Sequence, residues 1–237
     1  MAKFILIHGS WQGAWCWREI VPLLEAHGHE ALAIDLPGHG EDRTPPESVT
    51  FQDYVDRTVA AVRAPEDLSI LVGHSMGGAI IRQAAGFAPE RVRALVSVAA
   101  LLPPRGASML GFVEGFDPDY LAQIEWAPDG RTGRISPEGI RRFFLSDCAP
   151  SVVESVLSLP GPEPAAPYET PLFFAEPGTR HYYIECLKDR IVPIALQRSM
   201  HAGFAADRVY SIDSGHAPHL SSPEALARIL HRIADDC

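Results

Sequence analysis

Long apolar runs are missing from this 237-residue sequence. The first such run, Phe4-Ile5-Leu6-Ile7, is too short for a signal-peptide core, and no stretch approaches the roughly 20 residues of a membrane span. Cysteine is sparse as well. Cys16, Cys148, Cys186 and Cys237 are the only four, without a CxxC pair or companion histidine spacing, which argues against a zinc site and a disulfide framework and leaves reduced thiols. Runs of Lys or Arg are absent, and 20 basic residues face 30 acidic ones for a formal net charge of -10. Such a field repels phosphate backbones and anionic lipid. Internal repeats and low-complexity tracts are missing too, so solenoids and disorder are set aside. These absences predict a soluble cytoplasmic protein with no nucleic-acid partner and no membrane partner; homodimer formation stays open.

Hydrophobic residues make up 46% of the chain and charged residues 21%, ordinary globular usage in a length that buries one large core. Short apolar runs at 4–7, 31–36, 68–73, 92–99, 181–187 and 209–212 alternate with amphipathic helical patterns, as in a parallel sheet covered on both faces. Trp17, Ile20, Val21 and Leu24 recur at helical spacing up to Gly28, with a bend expected at Pro22. Thr50, followed three residues on by Asp53, marks a helix start, and Ser222-Pro223-Glu224 marks another. The alternation fails over 103–171. Prolines and aromatics take over there, with a short helix after Ser136-Pro137-Glu138 and another over 149–159. The reading is an α/β core over 1–102 and 172–237, with about six mostly parallel strands. A mainly helical cap, 103–171, is inserted over the carboxyl edge, where open α/β sheets bind ligands.

Gly73-His74-Ser75-Met76-Gly77-Gly78 sits between an apolar run and the helical pattern Ala79, Ile80, Gln83, Ala84, Phe87. That context fits a nucleophile elbow, a sharp strand-to-helix turn that lifts a serine hydroxyl into the cleft. A serine needs a histidine to take its proton and a carboxylate to orient that histidine. Of ten histidines, His216 follows the last strand run in a Gly-led turn, with His219 its nearest rival; His181 and His201 lie inside elements. Asp189 ends the fifth strand run and is the candidate acid. Position 101–103 offers no carboxylate, Glu185 should point into the sheet's flank, and Asp213 is too near His216 in sequence. Backbone N–H groups of Ser10 and Met76 fill the oxyanion-hole positions, and His8 is expected to stabilise the first loop. No metal or organic cofactor is required.

These residues resemble the plant methylesterase and hydroxynitrile lyase branch of the α/β hydrolases, and bacterial carboxylesterases similar to it. The likeness rests on His8-Gly9-Ser10-Trp11-Gln12-Gly13-Ala14-Trp15-Cys16-Trp17, Asp35-Leu36-Pro37-Gly38-His39-Gly40, the elbow, Lys188-Asp189 with Pro193, and Gly215-His216. Around Phe143-Phe144 and Ser146-Asp147-Cys148 it is loose. The resemblance implies the α/β-hydrolase fold and ester hydrolysis. Lyases of the branch carry threonine where this chain has Gly9 and lysine where it has Ala217, and both departures favour hydrolysis. The methylesterases carry methionine at the latter position, so a methyl-ester preference is not implied.

A cofactor-free perhydrolase shares the same triad and stays an alternative, as do a lyase-like activity and a non-catalytic ligand-binding homologue. A carboxylate-nucleophile hydrolase does not, because Ser75 occupies the elbow. Leu110, Phe112, Phe116, Tyr120, Trp126, Phe143, Phe144, Phe173 and Phe174 supply apolar surface to the cap and predict an uncharged apolar or aromatic ester as the small-molecule substrate. Trp11, Trp126, Phe143 and Phe144 are the candidate substrate-binding residues.

Overall fold

The computed structural model describes residues 1–64, 67–173, 178–204 and 206–237. Nine strands occur among them: β1 (Lys3–Ile7), β2 (Glu30–Ile34), β3 (Ser69–His74), β4 (Val92–Val98), β5 (Ile124–Trp126), β6 (Thr132–Ile135), β7 (Glu163–Pro164), β8 (Arg180–Cys186) and β9 (Arg208–Ile212). Six form one sheet in the order β2-β1-β3-β4-β8-β9, with every neighbouring pair parallel. β3, at the sheet's centre, is buried at every position, the pattern of a strand covered on both faces. β2 at one edge is exposed or half-buried over four of its five residues.

Parallel strands need crossovers, and the longer helices supply or flank them: α1 (Ile20–Ala26), α2 (Phe51–Arg63), α3 (Gly77–Phe87), α4 (Pro150–Val156), α5 (Ile194–Phe204) and α6 (Pro223–Asp236). Strand alternation sorts the core into two layers. Phe4, Leu6, Ile70 and Val72 pack with Trp17, Leu24, Leu226 and Leu230, under α1 and α6. Ile5, Ile7 and Leu71 pack on the other face with Tyr54, Val55, Ile80 and Ile81, under α2 and α3. Tyr120, Phe143 and Phe144 join this second layer, so the residues between β4 and β8 share the core of the sheet they overlie.

Three local expectations need correction. Pro22 does not bend a helix, because Trp17 belongs to a separate 3-10 turn, Ala14–Trp17. The α-helix then begins at Ile20, placing the proline in its first turn, where a missing N–H costs nothing. Ser222 makes no side-chain capping bond; its φ of -146° and ψ of 49° lie outside the extended conformation from which a hydroxyl reaches the first-turn amides. The segment between β4 and β8 also carries a small antiparallel sheet, β5-β6-β7, beside its short helices. Strands of two to four residues are too short to show an alternation.

Other local readings match the structure. Thr50 accepts the Asp53 N–H at 3.3 Å while Asp53 accepts the Thr50 N–H at 2.8 Å, a reciprocal cap on α2. The Ser136 hydroxyl accepts the Gly139 N–H at 3.0 Å and opens a short helix that widens into a π-turn over Ile140–Phe144. All four cysteines are free. Among the described residues no helix is long and apolar enough to cross a membrane.

Candidate active site

β3 ends at His74 and α3 begins at Gly77, so the chain reverses over two residues. Ser75 bears the strain of that turn with φ at 53°, a left-handed conformation that side chains adopt rarely. A Cβ on Gly73 would strike the Gly77 carbonyl, so only glycine lets strand and helix close up this tightly. The Ser75 main chain is tied to the next strand, its N–H donating to Val98 O at 3.0 Å and its carbonyl accepting from Leu101 N at 2.9 Å.

His216 and Asp189 arrive from the loops after β9 and β8. His216 Nδ1 lies 2.7 Å from Asp189 Oδ2, with neither side chain exposed. The other oxygen of Asp189 accepts the Ile191 and Val192 N–H groups at 2.8 and 2.9 Å, and Gln197 Nε2 donates to Oδ2 at 3.3 Å. Three donors thus hold the carboxylate in place, which orients the imidazole as its hydrogen-bond partner. His216 Nε2 is buried and has no hydrogen-bond partner among the described residues. Its ring stacks edge-on to Phe144 at 5.3 Å. His74, the residue before Ser75, reaches the His216 carbonyl with Nε2 at 2.7 Å, tying the serine turn to the histidine turn.

The loop after β1 closes the other side. A Cβ on Gly9 would lie 2.8 Å from Ser75 Cβ, so this loop passes directly over the serine. No acceptor among the described residues engages the Ser10 or Met76 backbone N–H. Two free donors beside one serine suit a developing oxyanion. His8 supports the loop as expected: its Nε2 accepts the Leu36 N–H at 3.2 Å, which leaves Nδ1 to donate to Gly9 O at 2.8 Å. Burial, then the neighbouring His39, pushes its pKa down to about 3, so it acts as a neutral brace.

The model of the "Alpha/beta hydrolase family" matches residues 4–229. The chain belongs to the alpha/beta hydrolase family. It is 33% identical to a pyrethroid hydrolase of Sphingobium wenxiniae over 99% of this chain and 88% of the relative. It is 30% identical to methylesterase 7 of Arabidopsis thaliana over 98% of this chain and 96% of that protein. The crystal structure of a pyrethroid hydrolase from Sphingobium faniae superposes with a TM-score of 0.90 at 31% identity, covering 99% of this chain and 97% of that one.

In this alpha/beta hydrolase the rival candidates have other partners. Glu185 takes Arg198, His201 and Ser211 on the sheet's flank, and Asp213 pairs with Lys188 at 2.8 Å on the surface. His219 is fully buried against Gln12 Nε2 at 3.2 Å, and His181 meets Ser97 Oγ at 2.8 Å.

The aromatic candidates divide. A cavity of about 110 Å³ is lined by Trp11, Leu110, Phe116, Tyr120, Trp126 and Tyr168 among others. Trp126 stands at its rim, 56% exposed. Phe144 lines a much smaller void beside Trp11 and Trp15. Phe143 lines neither; it is fully buried against Tyr120 and the guanidinium groups of Arg142 and Arg190. Phe112 borders a different cleft, near Arg82 and Phe204, Phe173 is 66% exposed, and Phe174 lies outside the described residues.

Several residues at the site carry no signal in the sequence. Besides His74 and Gln197, Asp147 Oδ2 accepts the Gly215 N–H at 2.6 Å, bracing the turn just before His216. Glu163 Oε2 accepts the Trp11 N–H at 2.8 Å and lies 3.1 Å from His39 Nε2. Tyr168 Oη meets Ser10 Oγ at 2.5 Å. Only the proline- and aromatic-rich composition of the segment between β4 and β8 hints at Asp147, Glu163 and Tyr168, since their partners lie more than sixty residues away in the chain. Among the described residues no cluster of His, Cys, Asp and Glu could hold a metal ion.

Proposed function

We propose that this hydrolase cleaves an uncharged apolar or aromatic carboxylic ester through an acyl-enzyme on Ser75. The observation that carries the reading is the buried His216–Asp189 pair at 2.7 Å, which leaves His216 Nε2 without a partner among the described residues and whose histidine main chain is tied through His74 to the turn that holds Ser75 at positive φ. Its relatives named as hydrolases and esterases support the same chemistry.

In this mechanism Ser75 Oγ attacks the ester carbonyl while His216 Nε2 takes its proton, and Asp189 stabilises the resulting imidazolium. Negative charge developing on the carbonyl oxygen is met by the Ser10 and Met76 N–H groups and by the N-terminus of α3. His216 then protonates the leaving alcohol. Water attacks the acyl-enzyme by the same path in reverse, so the cycle needs no cofactor.

Residues 103–171 act as the cap. The largely apolar cavity lined by Trp11 and Tyr168 receives an apolar or aromatic part of the substrate. Gly9 and the fully buried Ala217 leave no hydroxyl or cation where a lyase would carry them, which supports hydrolysis. The four free thiols suit a cytoplasmic site of action.

The test is hydrolysis of p-nitrophenyl esters from acetate to octanoate. Ser75→Ala should abolish turnover, and Asp189→Asn, which favours the wrong histidine tautomer, should lower kcat by about 10⁴-fold. Fluorophosphonate should label wild type and not Ser75→Ala. Labelling without hydrolysis of any ester would leave a reactive serine but remove the general esterase reading. Neither labelling nor hydrolysis would turn the site into a binding pocket.

A further inference from the structure

We propose that Glu163 is a positioning residue for the oxyanion loop: from the cap, its carboxylate fixes the Trp11 main chain and so aims the Ser10 N–H. The inference rests on the esterase reading and adds a residue to its machinery.

A backbone donor serves catalysis only if its direction is set before the charge appears, because a loop that must reorganise gives back the electrostatic gain. His8 braces the start of the loop after β1, but Trp11 lies beyond that brace. Trp11 takes φ at 67°, a region that bulky side chains avoid. The cap holds it there from one short stretch. Glu163 Oε2 accepts the Trp11 N–H at 2.8 Å, and the Trp11 carbonyl accepts the Gly161 N–H at 2.9 Å. Tyr168 Oη meets the Ser10 hydroxyl at 2.5 Å. With the Trp11 N–H and the Ser10 hydroxyl both anchored, the freedom of the Ser10 dihedrals, and so of its N–H direction, is restricted.

The choice of a carboxylate is informative. Glu163 is only 3% exposed, where a charge is costly to bury and pairing with His39 at most offsets that cost. His39 presents its other nitrogen, Nδ1, to Pro37 O at 3.2 Å. With acceptors at both ring nitrogens, the imidazolium form suits this pocket and leaves Glu163 as the acceptor for Trp11. Glu163 Oε1 has no partner among the described residues, which a group placed only for stability would not leave unmet. A charged acceptor makes a stronger bond to a backbone N–H than a neutral one, and the bond it makes is to the loop that carries the oxyanion donor.

The experiment compares wild type, Glu163→Ala and Glu163→Gln on the best p-nitrophenyl ester, with thermal midpoints recorded for each. A trifluoromethyl ketone is measured as an inhibitor, since its adduct on Ser75 carries the same oxyanion. Glu163→Ala should lower kcat by about 10- to 100-fold with KM changed by less than about threefold. It should weaken the ketone by the same factor as kcat/KM. Glu163→Gln, which keeps an oxygen for the Trp11 N–H, should recover most of the loss. A folded Glu163→Ala with wild-type kcat overturns the proposal, as does a loss confined to KM or a ketone affinity that does not follow kcat/KM. Where the alanine variant does not fold, Glu163→Gln is set against Glu163→Met, which fills the space without a strong acceptor; equal kcat in the two overturns it as well. Wild type inactive on every ester is a different result: it removes the esterase reading itself, and this inference with it.

Discussion

At the scale of single residues, the site is arranged by close approach. Gly9 leaves the space that Ser75 occupies: a Cβ there would sit 2.8 Å from Ser75 Cβ and 2.9 Å from His74 Nδ1, both inside contact distance. Gly9→Ala should therefore displace the serine and lower kcat by more than about tenfold, since small misplacements of a reacting group are expensive. Steady-state kinetics with a thermal midpoint within a few degrees of wild type would separate this from unfolding. The proposed serine, histidine and acid could be picked out in the sequence because each sits at a strand's carboxyl end in a recognisable turn. Glu163, Asp147 and Tyr168 could not, because a glutamate in a proline-rich stretch reads the same whether it faces solvent or a backbone N–H.

At the scale of elements, α2 owes its start to a local device. The Thr50–Asp53 exchange satisfies two amides that the helix leaves unpaired, and Val55, Val59 and Val62 then face the core. Thr50→Ala should cost about 1 kcal/mol, or a fall of roughly 2–4 °C in Tm for a chain of this size, with kcat unchanged. Differential scanning calorimetry and the ester assay check the two halves. The strands of the main sheet were readable for a related reason, since burial on both faces writes continuous apolar runs. β5, β6 and β7 were not, because their pairing depends on partners supplied by the fold rather than on a pattern within each strand.

At the scale of the whole molecule, buried histidines link stability to pH. Burial is the first cause that pushes His8, His181 and His219 down to about 3 and His74 well below its usual range. The unfolded chain protonates these rings near pH 6.5 and the folded one does not until far lower. Their neutral burial is thus fully favourable above about pH 6.5 and lost as pH falls from there toward about 3. His39 has the opposite sign. Burial opposes its charge, but Glu163 and the Pro37 carbonyl outweigh that and raise it, so its contribution is present below about pH 6.5 and fades as pH rises through the folded value. His29 is lowered by burial as well, so with five against one, stability should fall on acidification by up to about 1.4 kcal/mol per pH unit for each proton taken up. Urea midpoints that stay level between about pH 6.5 and 4.5 would contradict this.

The sequence by itself determined the parallel sheet, the turn that carries Ser75, and the order in which the proposed acid and histidine follow, because apolar runs and glycine turns are local and the chain order of such a triad is set by topology. Only the tertiary structure decided that His216 and Asp189 meet at 2.7 Å, that Phe143 packs in the core while Trp126 stands at the cavity, and that Glu163 reaches the first loop. The two polar contacts join residues 27 and 152 positions apart, and at that separation only the folded chain decides which polar groups share a buried space.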